Sequence, residues 1–147
     1  MTIKKSVSIN TSPSAVFEAA TDWPGQQKWM VGTIVRPILN NGVGIGGSIE
    51  AQTNFGIFTM VDSMEITVWE PPYRCAVLHT GRIVRGSGLF EIQPITASTS
   101  LFIWSETLDI PFGILGRVGW ILAQPFASFG IVWSLQRFKR WSERRNR

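Results

Sequence analysis

Four ionisable residues of this chain could do chemistry: Asp62, His79, Arg82 and Glu106, each set in a strand-like stretch. His79 is the single histidine, and histidine is the side chain that ordinarily changes charge near neutral pH. Burying ionisable groups costs several kcal/mol unless they are paired or solvated. Four on one apolar face therefore form a structural network, with Asp62 against Arg82, or fix the polar end of a ligand in an apolar pocket. Both readings stand at this level. No nucleophile–base pair can be read, so no catalytic residue is assigned. One histidine and one cysteine without ligand spacing offer no metal site. The glycine run "GVGIGG" at Gly42–Gly47 lacks the lysine and the strand–helix context of a phosphate loop, and no cofactor is expected.

These residues must be positioned by strands. "IKKSVSIN" alternates apolar and polar residues and predicts a first strand. "SPSAVFEAATD" predicts a helix, with Ser12 as cap and Pro13 in its first position. "WPGQQKWM" predicts a break and a short helical turn. "GTIVRPILNN" predicts a second strand whose Pro37 suits an edge or a bulge. "GGSIEAQTN", "IFTMVDSMEITVW", "YRCAVLHT", "RIVRGSGLFEI" and "TSLFIWSETLDI" predict five more. From about Phe112 to about Arg144 the pattern is helical, with a kink expected at Pro125.

Turn length sets register, and register sets faces. A two-residue turn at Thr80-Gly81 places His79 opposite Arg82, Val77 opposite Val84 and Cys75 opposite Gly86. The next hairpin, around Pro94–Ser98, places Phe90 near Phe102, Gly88 near Trp104 and Gly86 near Glu106. The fourth strand turns Phe58, Met60, Met64, Ile66 and Val68 to the apolar side, with Asp62 among them. One face then holds most large apolar residues together with Asp62, His79, Arg82 and Glu106. Gly86 and Gly88 leave space on it. Glu106 has the least obvious partner, and desolvation beside Trp104 favours its protonated form.

Composition bounds the rest. The 147 residues suit one domain, 1–147, and 44% apolar content excludes disorder. Seven tryptophans and nine phenylalanines exceed what a minimal core requires, so they point to a large interior, a pocket or a membrane-facing surface. A lone Cys75 and no signal-peptide pattern lead to a cytoplasmic expectation, with membrane association as a second one. The net charge of +4 comes largely from "RFKRWSERRNR", with six basic residues and one acid. That tail suits the end of a helix or an anionic membrane surface. No aromatic-basic strand motif or helix-turn-helix pattern is present, so nucleic acid is not expected as a partner.

Several stretches resemble the START-like helix-grip superfamily (SRPBCC), of the polyketide cyclase/dehydrase and lipid-transport type. They are "SVSINTSPSAVFEAATDWPGQQKWM", "VDSMEITVWEPPYRC", "GSGLFEIQP" and "STSLFIWSETLDIP", and they cover nearly the whole chain. The resemblance implies an α+β fold: a seven-stranded antiparallel curved sheet around a long C-terminal helix, with two short helices after the first strand and a cavity between sheet and helix. It implies binding of lipids, sterols, polyketides, plant hormones or quinones, with cyclisation or dehydration in a minority of members. It carries no universal catalytic motif. One departure is "GILGRVGWILAQPFASFGIVWSLQRF", which is apolar on all sides where a helix over a cavity should show a stripe.

The first functional expectation is a binding protein for a hydrophobic or amphipathic small molecule. Its ligand-binding residues would be Phe58, Asp62, Met64, His79, Arg82, Phe90, Phe102, Trp104, Glu106 and Trp120. The alternatives are a cyclase or dehydratase in which Glu106 or His79 moves protons, and a peripheral membrane protein using the apolar helix and basic tail. Val118–Leu135 holds eighteen residues without a charge, near the length of a spanning helix. Gln124, Pro125 and the loss of the sheet's main partner argue against spanning.

Overall fold

The computed structural model describes residues 1–147, the side chain of Phe55 excepted. Seven antiparallel strands among the described residues form one sheet in the order β1-β7-β6-β5-β4-β3-β2. They are β1 (Thr2–Ile9), β2 (Thr33–Leu39), β3 (Ser48–Phe55), β4 (Phe58–Glu70), β5 (Arg74–His79), β6 (Gly86–Thr96) and β7 (Thr99–Leu108). The two edges, β1 and β2, are neighbours in sequence. Between them lie α1 (Pro13–Ala20) and a 3₁₀ turn (Pro24–Lys28), and α2 (Gly113–Arg145) closes the fold. This is the α+β helix-grip architecture expected from the sequence.

Local chemistry explains the ends of these elements. The Ser12 hydroxyl accepts from the Ala15 amide at 3.3 Å, capping α1, and Pro13 occupies its first position, where a missing amide costs nothing. Pro37 lies on the edge strand β2, where the pairing with β3 shifts between Pro37 and Leu39. α2 continues through Pro125 without an interruption, where a kink is expected from sequence.

The core gathers between the sheet and the second half of α2. Trp29 is fully buried, with Phe138 at 4.7 Å and Trp104 at 5.9 Å between ring centroids. Polar ties fix the same half of α2. Lys139 donates to the Ser8 carbonyl, Arg137 to the Lys28 carbonyl, and Arg145 pairs with Asp22. The Glu143 carboxyl is held below its usual range by the hydrogen bond from Lys139 and then by the Asn10 amide. The first half of α2 has no comparable anchoring, and most of its large side chains are exposed.

The observed registers differ from those expected, yet the faces are largely retained. β5 and β6 are joined by a six-residue loop, 80–85, so His79 lies opposite Gly86 and Cys75 opposite Phe90. The β6–β7 register puts Gly88 opposite Glu106 and Phe90 opposite Trp104. The first slip is four residues and the second two. Side chains alternate with a period of two, so even slips leave every residue on its face. β4 is the exception. The pairing shifts between Ile66, opposite Val77, and Val68, opposite Ala76. This bulge turns Trp69, rather than the expected Val68, to the core, where it meets Phe17 edge-on at 5.2 Å.

Candidate functional site

Between the sheet and α2 lies an open cavity of 660 Å³. Its walls are mostly apolar and come from β2–β7, the 3₁₀ turn and the middle of α2. Besides the buried Cys75 thiol, three ionisable side chains reach it: Asp62, His79 and Glu106. They form a chain across four strands. Asp62 Oδ2 lies 2.8 Å from His79 Nδ1, and Glu106 Oε2 lies 3.0 Å from His79 Nε2. Trp104 Nε1 donates to the other Glu106 oxygen at 2.8 Å.

The span of this chain depends on a glycine. His79 is on β5 and Glu106 on β7, with β6 between them, a separation of about 10 Å between strand axes. Gly88 of β6 lies opposite Glu106 in register, and the carboxylate folds over it. A Cβ on Gly88 would sit 2.9 Å from Glu106 Oε1, in the space the carboxylate occupies. With no side chain on β6 there, the two groups can meet above the strand.

Both ring nitrogens of His79 face carboxylates, so both can donate only when the ring is an imidazolium. Burial pulls its pKa down. The hydrogen bonds to Asp62 and Glu106 and the charges of both outweigh that, and the pKa rises to about 9. A pKa raised on folding adds stability that is complete below the unfolded value of 6.5 and is lost as pH rises through the folded value. Stability should therefore fall by on the order of 3 kcal/mol between pH 6.5 and 9. Chemical denaturation across that range measures it, and His79→Gln should flatten the slope. The buried Cys75 thiol, pushed up to about 12 by desolvation, acts at more alkaline pH and is removed by Cys75→Ala.

The sequence-predicted residues divide into two groups. Asp62, Met64, His79, Phe90, Trp104 and Glu106 line the cavity. Arg82 does not: it is exposed in the loop after β5, because that hairpin is longer than the two-residue turn expected. Its expected place beside Asp62 is taken by His79. Glu106, whose partner was the least obvious from sequence, has two, His79 and Trp104. Phe58 is 70% exposed at the start of β4, and Phe102 is wholly buried against Phe138, away from the cavity. Trp120 lies half-buried on α2, outside the lining.

Sequence reasoning missed the far wall. Thr33 and Val35 on β2, and Ile49, Ala51 and Thr53 on β3, reach the cavity with the period-two spacing their strands already show. From α2, Ala123, Ala127, Gly130 and Ser134 line it alongside the larger Phe126 and Ile131, and the small residues are the informative ones. Their spacing of three and four, and their small size, were the available signal. Among the described residues no three side chains are placed to share a metal ion. Asp62 and Glu106 take opposite nitrogens of the ring, so the three do not converge on one point.

No family model and no curated protein matches this chain in sequence. Solved structures do match it. The Zhui aromatase/cyclase from Streptomyces sp. R1128 superposes with a TM-score of 0.81 at 15% identity, covering 100% of this chain and 96% of that one. The protein TTHA0849 from Thermus thermophilus gives 0.81 at 13% identity, with 97% of each chain covered. The di-domain aromatase/cyclase BexL of the BE-7585A biosynthetic pathway gives 0.74 at 12% identity, over 95% of this chain and 45% of that one. The expected helix-grip fold therefore holds in three dimensions.

Proposed function

We propose that this domain binds a hydrophobic or amphipathic small molecule, lipid-like or polyketide-like, with its apolar body in the cavity and its polar end at Asp62–His79–Glu106. The observation that carries this reading is the 660 Å³ cavity itself, apolar over most of its wall and ionisable at one cluster. That volume and that sparse polarity are typical of small-molecule sites. With His79 protonated between two carboxylates, the cluster is negative overall. Asp62 Oδ1 has no hydrogen-bond partner among the described residues. Such a cluster favours a ligand end that donates, a hydroxyl or phenol, over a free carboxylate.

A second reading, a cyclase or dehydratase, draws on one feature: His79 is hydrogen-bonded to carboxylates within the cavity, on a fold shared with aromatase/cyclases. Raised to about 9, His79 holds its proton at neutral pH and would serve as the acid rather than the base.

One variant separates the two. A long-chain alcohol and an aromatic polyphenol are titrated against tryptophan fluorescence, which Trp104 reports from beside the cluster. Glu106→Gln keeps the size and removes the charge, so binding should weaken by about 1–3 kcal/mol. In an enzyme, turnover would instead fall by about 10²–10⁴ with affinity nearly unchanged. Conversion of a probe by the wild type, together with equal binding but no conversion by Glu106→Gln, would establish the second reading. Absence of saturable quenching by either probe would remove the first.

A further inference from the structure

α2 is built inside out for a helix that ends a water-exposed domain. Leu115, Val118, Leu122, Phe126, Phe129 and Trp133 follow one another at intervals of three and four and share one face. That face looks outward: Phe126 is 80% exposed and Leu115 78%. About a quarter turn around the helix, Ala123, Ala127, Gly130 and Ser134 line the cavity together with Ile131 and Phe126. Most of the large side chains are thus outside, and the helix wall of the cavity is mostly small residues, Ile131 and Phe126 excepted. The sequence reads as apolar on all sides because both faces lack charge. Only the structure shows that one of them has no protein partner among the described residues.

Further large apolar side chains are exposed towards the open end of the sheet. β4 begins, β5 ends, β6 begins and β7 ends towards that end, so the β3–β4 turn, the β5–β6 loop and the start of α2 all lie towards it. Ile57, Ile83 and Phe112 stand exposed on these three segments, at 92%, 72% and 83%. Large apolar side chains exposed along one helix face in this number mark an interaction site rather than ordinary exposure.

Charge identifies the partner. Arg82, Arg85 and Arg117 are exposed at the open end, and Arg140 and Arg144 extend the outward face at the other end of α2. Among the described residues, none of these five arginines is in an ion pair. An apolar strip about 30 Å long with cations at both ends matches the acyl–headgroup boundary of an anionic bilayer. We propose that this face docks the domain on an anionic membrane, with α2 lying in the interface plane and the cavity mouth, where Phe126 forms part of the lip, turned towards lipid. By length and composition α2 could cross a bilayer. Its other face and its second half are committed, however: Ser134 accepts from the Val31 amide, and Leu135 and Phe138 are buried in the core. A spanning helix would have to give up these contacts, whereas a helix lying in the interface keeps them.

Vesicle flotation tests this directly. The full chain should float with phosphatidylcholine vesicles containing phosphatidylglycerol, float far less with pure phosphatidylcholine, and be released by high salt. Leu122→Glu with Phe126→Glu should lower partitioning by about 100-fold. Arg140→Gln with Arg144→Gln should lower it by on the order of 30-fold, at about 1 kcal/mol for each basic residue. All four positions are exposed, so circular dichroism and the thermal midpoint should not change. Should the glutamate pair fail to fold, Leu115→Glu and the arginine pair give the same reading. Failure of the wild type to float with anionic vesicles would overturn the proposal, as would equal flotation of the folded glutamate variant. A stable dimer by light scattering that the glutamate pair dissolves would assign the face to a second copy. Resistance to alkaline carbonate would show spanning. Ligand titration without vesicles reports on the cavity alone, so the two proposals can fail separately.

Discussion

Replacing His79 with leucine is expected to cost about 3–5 kcal/mol, the usual penalty for leaving a buried charge uncompensated. The chain is then short of one cation for two carboxylates. Asp62 Oδ2 and Glu106 Oε2 each lose their only partner, because each contacts a different nitrogen of the same ring. Glu106 retains Trp104 as a donor, whereas Asp62 retains no hydrogen bond. The thermal midpoint should fall by about 10 °C or more for a domain of this size. Adding Asp62→Asn and Glu106→Gln should recover part of the loss, since the penalty belongs to the stranded charges rather than to the absent ring. A midpoint within about 2 °C of wild type at pH 7 would show that water in the cavity solvates both carboxylates without histidine.

Alanine at Gly86 is expected to cost on the order of 3 kcal/mol or more, although it adds one methyl group. Gly86 has φ of +122°, in a region that side chains with a Cβ rarely adopt. A Cβ there would also run into the Thr107 carbonyl on β7, and backbone within a paired strand cannot move aside cheaply. Gly88→Ala, two residues on, provides the contrast. Its Cβ would meet only the end of the Glu106 side chain, which can swing away. That variant should be destabilised much less, yet its alkaline loss of stability should shrink because Glu106 leaves His79. Urea denaturation of both at pH 7 and pH 9 reads the two effects. Equal and small losses at both glycines would show that β6 can shift to accommodate a side chain.

The two glycines therefore have different tasks, one set by the backbone and the other by the space above the strand. Sequence placed both on the inner face but could not tell them apart. The same holds for the charges. Alternation along each strand put Asp62, His79 and Glu106 on one face, and this survived even though both hairpins were read with the wrong register. Alternation also put Arg82 on that face. Arg82 is instead in a loop, because "GRIVRG" has the composition of a strand and nothing local shows that pairing begins only at Gly86.

What the chain by itself determined is the series of elements and the inner and outer parity of most strand residues. Both follow from short-range rules: capping at Ser12, proline at Pro13 and Pro37, and a side-chain period of two that even slips in register leave intact. Only the tertiary structure decided which residues meet. Glu106 reaches His79 because Gly88 comes between them in space, on a strand that neither residue belongs to. The bulge in β4 exchanged Val68 for Trp69 through the pairing of two strands, which neither strand records alone. The orientation of α2 was hidden for a different reason. Its first half is apolar on both faces, so hydropathy gives no contrast between them. The choice depended on volume: alanine and glycine leave room for a cavity and make up most of its helix wall, with Ile131 and Phe126 beside them, while most of the leucines and phenylalanines face outward.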